Sequence, residues 1–466
     1  MNPMAETQQR QCLIHFTHPE HAVGDVHPYY ENGVYHVNYL YTPGTWNVAQ
    51  LRTRDFLNWS WETLSHAQMG RDPSVPNFFV LHMLRDNKQS LYHTFYGNGG
   101  MYHSVSEDML NWRCAQPHRI LAGSDDLYKR QSDPYVFWND TEGAYWLVMT
   151  LRKRNLPILR AGAIGFAVSP DLKNWEYQGE LYCPGDRGDP ECPSMFRMGD
   201  YWYLLASYSD GRVGKPSYRI SASPRGPWTE PFPDSLDGEH LCAAESCYDG
   251  RQRLLLGWVP LRFSETGKQH WGGHLALPRE IYPLNDGRLA SRLEKSVAAA
   301  IRGTRVDFGW NSGDWNGLSS ENCLPKDILL SETNPDIRLS EIPDNIDVEI
   351  RFVCETPQSD LRVVFDSETD SAFAEVHVDF DSRRLRIVVD GERYVCSVGI
   401  DNEDNRSHTL RMICDRDILE CFLDDRFTLV ARLPRPLEHN QIDLSAEKGL
   451  IVLNRTEIYR IQGVCP

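Results

Sequence analysis

Short apolar or aromatic runs broken by turn residues fill the chain from His15 onward. Residues 35–40 (YHVNYL) follow Asn32-Gly33, and residues 90–96 (SLYHTFY) run into Gly97-Asn98-Gly99-Gly100. Runs of this length, joined by Asn-Gly or Gly-rich turns, predict β-hairpins. No helical stripe competes with them. A D-x-x-N-W pattern recurs at 55–59, 108–112 and 171–175, its copies spaced by 53 and 63 residues, and a degraded copy at 223–228 puts Trp228 another 53 residues beyond Trp175. Repeats of several short strands with an aromatic signature predict propeller blades, because one four-stranded sheet cannot bury its own faces. Five units follow, near 20–70, 71–120, 121–183, 184–236 and 237–300, with the Asp fixing a turn and the Trp packed between blades. The repeat stops near residue 300. Residues 301–335, with Gly309, Gly317, Pro325 and Asn334-Pro335, read as a linker or apposed loop. Regular alternation then resumes in 346–352, 361–365, 375–380 and 385–389. It predicts half-buried antiparallel strands and a β-sandwich over 336–466. The expected fold is all-β, a five-bladed β-propeller over 1–300 followed by a β-sandwich.

Composition narrows the partners. At 466 residues, two domains are expected rather than one. A net charge of -17, with no Lys/Arg cluster to offset it, argues against nucleic acid and anionic membrane surfaces. Neutral partners are expected. The 13 Trp, 21 Tyr and 17 Phe supply enough rings to line a concave site as well as fill a core. Twelve cysteines without CxxC pairs or metal-ligand spacing suggest free thiols in a reducing compartment. The first residues carry no apolar signal-type segment and no later stretch is long enough to span a membrane, so the expected location is cytoplasmic. No H-E-x-x-H or comparable motif is present; no cofactor or catalytic metal is implied, and oligomeric state is left open.

The candidate chemistry centres on Asp189-Pro190-Glu191-Cys192-Pro193, followed at once by the aromatic run 201–206. The prolines restrict this backbone and predict extended geometry at Glu191 and Cys192. A carboxyl held in such a place suits a general acid, whose action depends on hydrogen-bond reach. Asp25 and Asp133 precede the first strands of blades one and three, as Glu191 precedes that of blade four. Three acids in equivalent blade positions should converge at one end of the central channel. Crowded carboxylates cannot all ionise freely, so one should keep its proton at neutral pH.

Four stretches carry a family resemblance: Glu191-Cys192-Pro193, Asp133-Pro134, 271–281 (WGGHLALPREI) and 414–422 (CDRDILECF). The chain resembles the glycoside hydrolase family 32-like clan of invertases, levanases, inulinases and fructosyltransferases. That resemblance implies a five-bladed propeller with a C-terminal β-sandwich and a retaining glycosidase or transglycosidase acting on β-fructofuranosides or a related furanoside. It makes Asp25 the nucleophile, Asp133 the transition-state stabiliser and Glu191 the acid/base. Retention goes with carboxyl groups about 5–5.5 Å apart, inversion with about 6.5–9.5 Å. The chain also departs from the family. Its first motif reads Ala22-Val23-Gly24-Asp25-Val26-His27-Pro28, without the usual tryptophan and asparagines, so His27 is expected either to contact substrate or to hold Asp25. Ser132 stands where the family has arginine, with Arg130 three residues before Asp133. Arginine contacts are geometrically demanding, so the two positions are not interchangeable by default.

Other candidates complete the site. Arg71-Asp72-Pro73 matches the second family motif by letters, but Asp72 lies 119 residues before Glu191 and Asp133 lies 58 before it. Asp133 therefore takes the stabiliser role, and Asp72 is left as a channel-lining candidate. Trp46 and Trp271 are expected to stack on sugar faces or to pack between blades, and Glu245 to reach the channel from blade five. Cys192 reads as a buried small group, since nothing nearby would activate it as a nucleophile. The implied substrate is a neutral oligosaccharide or small glycoside. An inverting arabinofuranosidase-like hydrolase and a non-enzymatic carbohydrate-binding propeller are the competing readings. Crowded axial acids disfavour the pure binder, which gains nothing from their repulsion.

Overall fold

The computed structural model describes residues 12–463 except 43–45, 68–77, 87–89, 98–99, 117–119, 122–125, 210–213, 262–270, 313–314, 319–323, 325–326, 335, 366–372, 390–393, 402–405 and 438–440. The fold is all-β, a five-bladed propeller followed by a sandwich. The inner strands of blades I to V are Gly24–Glu31, Leu81–Asp86, Tyr128–Asn139, Asp189–Met198 and Cys242–Tyr248. Blades I and III are antiparallel four-stranded sheets in sequential order. Blade II adds the short strand Ser65–Ala67 parallel to its outer strand Asn111–Cys114. Blade IV keeps three full strands, with its outer edge reduced to a bridge between Ile220 and Thr229.

Local chemistry explains the repeat. In each full copy one oxygen of the Asp accepts two backbone N–H groups and the other accepts the Asn side chain, as Asp55 does from Leu57, Asn58 and Asn58 Nδ2. Asp108 and Asp171 do the same. The next residue, Phe56, Met109 or Leu172, sits at φ of 60°, 65° or 63°, which the turn makes tolerable by satisfying the surrounding donors. The tryptophan then turns back and donates Nε1–H to the carbonyl of that residue. Each indole lies against the preceding blade. Trp175 meets Phe95 of blade II edge to face, and Trp112 joins a cluster with Leu40 and Val48 of blade I. A hydroxyl two residues before the Asp also belongs to the motif: Thr53, Ser106 and Ser169 accept backbone N–H groups of the turn.

The ring closes on itself. Val23 and Gly273 exchange backbone hydrogen bonds, and Leu275 donates to Phe16, so the N-terminal segment completes blade V. The sandwich packs a seven-stranded sheet on an eight-stranded one around a single apolar cluster. Its strands Ser407–Asp415, Ile418–Leu423 and Phe427–Arg432 face the propeller, with Ile413, Phe422, Ile418 and Val430 entering the blade clusters. Beside them lies a buried charge network. His15 bonds Asp415 through Nδ1 and Glu420 through Nε2, and Arg279 bridges Glu420 and Asp237. Residues 301–335 differ from the expected linker. Strands Arg302–Arg305 and Ile328–Ser331 pair with Leu450–Ile461 in one sheet, and Gly309–Ser312 pairs with Ile337–Ser340 in the other. The strands are four residues each, too short to show alternation, and the partners beside them set their pairing. Among the described residues no helix is long and apolar enough to cross a membrane.

Candidate active site

Inner strands of a propeller run in parallel around the axis, so their first halves collect at one end of the channel. There the inner strands of blades I, III, IV and V each carry a register shift, at Gly24/Val26, Ser132/Tyr135, Glu191/Ser194 and Cys242/Glu245. Such bulges re-aim side chains. In blades III to V the bulged residues Asp133, Cys192 and Ala243 adopt φ of 53°, 48° and 44°. Two expectations change. Cys192 is left-handed rather than extended, and Asp133 matches Cys192 in its blade, so Glu191 stands one residue earlier than Asp133.

That offset gives the two acids different surroundings. Asp133 is buried, and its Oδ2 accepts from Arg130 Nη2 (3.2 Å), Thr150 Oγ1 (2.9 Å) and the Cys192 amide (3.3 Å). Its Oδ1 has no partner among the described residues. Glu191 is half-buried and accepts from Arg130 Nη1 at 2.5 Å. Burial pushes Glu191 up to about 7, with the charges of Asp133 and Asp25 adding to the effect and the Arg130 guanidinium opposing it. Arg130 thus joins both acids from a position three residues upstream of Asp133. Asp189 holds it from behind at 3.2 Å and is itself gripped by Arg152. The bulge lets Arg130 reach the acids although Ser132 occupies the family's arginine position, and Ser132 Oγ accepts from Arg130 Nε at 2.7 Å.

Asp25 is held differently. Trp258 and Trp271 both donate indole N–H to its Oδ1, at 3.1 and 3.3 Å. Burial raises its pKa, and His27 works against that rise. Trp271 lies directly over Gly24, where a Cβ would sit 2.1 Å from Cζ2, which is why glycine precedes the acid. His27 is buried and its Nδ1 meets Glu245 Oε1 at 2.9 Å; burial opposes its charge, but Glu245 and Asp25 leave its pKa raised. Its Nε2 has no partner among the described residues. Blade II contributes His82, whose ring lies 4.2 Å from that of Tyr135; burial and the charge of His27 lower it to about 3. Trp46, 43% exposed, packs edge to face on Trp271 at 4.6 Å and on Phe79 at 5.8 Å. Asp72 lies outside the described residues.

The structure therefore gathers Asp25, His27, Trp46, Arg130, Asp133, Glu191, Glu245 and Trp271 through direct contacts or mutual charge. Sequence reasoning missed Asp189, Thr150, Arg152, Trp258 and His82. Only Asp189 carried a local signal, as the second acid of the Glu191 segment. The Cys192 thiol is buried and pushed well above its ordinary pKa by that burial, which leaves it protonated.

This arrangement has relatives. A levanbiose-producing levanase of Geobacillus stearothermophilus is 26% identical over 430 residues, covering 82% of this chain and 94% of that protein. The fold matches fructan 1-exohydrolase IIa of Cichorium intybus at TM-score 0.74 and 15% identity, covering 98% of each chain. It matches a β-fructofuranosidase of Bombyx mori at TM-score 0.72 and 18% identity, over 100% of this chain and 97% of the other. The glycosyl hydrolases family 32 N-terminal domain matches residues 15–292, the whole of the propeller that carries these acids, and the chain belongs to that family of glycosidases.

Proposed function

We propose that this glycosidase cleaves or transfers β-fructofuranosyl units with retention, Asp25 acting as nucleophile and Glu191 as acid/base. The observation that carries the reading is the unequal treatment of three neighbouring acids. Glu191, held up near 7, is half protonated at neutral pH and suited to protonate a leaving oxygen and later to activate water. Asp25 has two indole donors on Oδ1, which leaves Oδ2 for attack on the anomeric carbon. Asp133 has its Oδ2 committed to Arg130, Thr150 and Cys192, so Oδ1 remains to accept a sugar hydroxyl. Buried polar atoms without partners call for one, and His27 Nε2 is a second such atom. It replaces the missing asparagine contact of the first motif. Trp46, Trp271 and Phe79 offer aromatic faces at the rim, suited to a neutral sugar beyond the first. The levanase relative favours levan-type chains among the candidates. A cytoplasmic location goes with this reading: the ten cysteines among the described residues are free thiols, which suits a reducing compartment.

Time-resolved proton NMR on sucrose, short inulin- and levan-type oligosaccharides and aryl arabinofuranosides tests the proposal. Early β-fructofuranose or a fructosyl transfer product is the expected result. Glu191→Gln and Asp25→Asn should each lower turnover by about 10²–10⁴ with the fold unchanged by circular dichroism. Inverted arabinose as the first product, or near-wild-type turnover in either variant, overturns the assignment.

A further inference from the structure

The outer face of the eight-stranded sandwich sheet carries a second cluster of chemistry-bearing side chains, remote in sequence from the acids of the propeller. Its residues come from the neighbouring strands Asp360–Phe365, Ala374–Asp379 and Ile442–Lys448. His377 pairs across from Arg362, and Asp360 lies two residues before Arg362 on the same face. Between the first and third strands the register slips: Leu361 faces Ala446 and Asp360 faces Lys448, so Glu447 is the extra residue of a bulge. The bulge brings Glu447 to the same place. One ligand atom each from Asp360, His377 and Glu447 lie within 4.8 Å of one another.

Two side-chain atoms of this cluster, an ion pair when His377 is charged, are buried without a hydrogen-bond partner among the described residues. Asp360 Oδ1 and His377 Nδ1 make no hydrogen bond among the described residues, and they stand 3.9 Å apart, too far to bond each other. Their side chains are 3% and 8% exposed, so bulk water does not serve them. A divalent ion about 2 Å from each atom would bridge such a gap after a contraction of about 0.5 Å to tetrahedral spacing. The other ring nitrogen is already fixed. His377 Nε2 lies 2.9 Å from Glu375 Oε2, and a carboxylate in that position keeps the Nε2 proton and leaves Nδ1 as the free lone pair, the arrangement that supports metal-bound histidines. The charges on this face are mixed: with neutral imidazole, the carboxylates of Asp360, Glu375 and Glu447 meet Arg362, which pairs with Glu375 at 2.7 Å and Glu447 at 3.5 Å, while Arg386 stands across from His377 and Lys448 across from Asp360.

We propose that Asp360, His377 and Glu447 form a structural site for a divalent transition metal of the Zn²⁺ class, oriented by Glu375 and closed by water. It would staple three strands of the sandwich and take no part in sugar chemistry. No local spacing announces it, because each ligand comes from a different strand and one depends on a bulge. A proton is the competing occupant. Burial opposes charge on His377, but Asp360 and Glu375 push its pKa up to about 9, so an imidazolium between two acids could fill the same role.

Calorimetric titration of the chelator-treated full chain with ZnCl₂ at pH 7.5 separates the two. The expected result is one saturable equivalent, a higher melting temperature with Zn²⁺, and unchanged sugar turnover. Binding should vanish in His377→Gln and Asp360→Asn and weaken about 10–100-fold in Glu375→Gln. Glu447→Gln alters a side chain that is 47% exposed, so it should fold even where the buried variants fail, and it should also weaken binding. Absence of a saturable equivalent, or one that survives both His377→Gln and Glu447→Gln, overturns the proposal and leaves His377 as an imidazolium strut.

Discussion

On the proposed assignment of Glu191 as acid/base, Arg130 holds its pKa down against burial, and replacing Arg130 with methionine should move the alkaline limb of the activity profile upward. Arg130 donates to Glu191 at 2.5 Å and to Asp133 at 3.2 Å, so its charge favours the ionised form of both. Taking about 4 Å between charge centres, the attraction is about 1 kcal/mol in water-like surroundings and about 4 kcal/mol at an effective dielectric of 20. The Glu191 side chain is 33% exposed, so solvent screening selects the low end. About 1.4 kcal/mol corresponds to one pH unit, which makes the expected change about one unit. The sign follows from the proposed role. An acid must be protonated, activity falls as pH rises through the Glu191 pKa, and loss of the cation raises that pKa. With Glu191 at about 7, roughly 10% of it is protonated at pH 8 in the wild type, against about 50% in the variant. Measuring kcat/KM between pH 4.5 and 9.5 should therefore show Arg130→Met with a lower plateau but a limb near 8, and Arg130→Lys in between. A limb that stays put, or moves to lower pH, would show that Glu191 is not the titrating acid or that Arg130 does not govern it.

Three further outcomes are expected. Gly24→Ala puts a Cβ 2.1 Å from the Trp271 ring; it should displace the indole from Asp25, lower kcat more than tenfold and destabilise by about 1–3 kcal/mol, and wild-type turnover with unchanged tryptophan fluorescence would show that the indole yields freely. Arg279→Ala leaves Asp237 buried without its cation and Glu420 paired with His15, and should cost about 3–5 kcal/mol in urea unfolding, whereas a loss below 1 kcal/mol would mean that the network relaxes. His15 has a raised pKa between Asp415 and Glu420 despite burial, so the stability from its charge is full below the ordinary imidazole value of about 6.5 and is lost as pH rises through the raised one. The urea midpoint should fall on that alkaline side in the wild type, and His15→Gln should flatten the fall.

The parts of this molecule that were legible in the sequence are those built from local chemistry. The D-x-x-N-W turns close within five residues, so their letters carry both the turn and the blade spacing. The Glu191 segment and Asp133-Pro134 announce themselves because proline and acid are adjacent. Residues whose role depends on a neighbouring blade gave no such signal. Trp258 reaches Asp25 from blade V, and Arg152 reaches Asp189 across from blade III. The strands in 301–335 were hidden because Leu450–Ile461 and Ile337–Ser340 supply the order that their own residues lack.

A bulge, rather than a special residue type, creates the difference between the acids. Blades III and IV use the same backbone device, with a left-handed residue followed by proline, and differ in which side of it carries the acid. In blade III the acid is the left-handed residue itself, turned inward, where Thr150, Arg130 and the Cys192 amide fix one oxygen. In blade IV the acid comes one residue earlier and stays half-exposed, with a single cationic partner. Non-glycine residues at positive φ cost on the order of 1–3 kcal/mol each, so three of them around one channel need compensation. Part of it is visible: the bulged Cys192 donates its amide to Asp133, which ties the strain of blade IV to the buried acid of blade III. The geometry of the two carboxyls is therefore coupled through backbone, and a substitution that relaxes either bulge should disturb both acids together rather than one at a time.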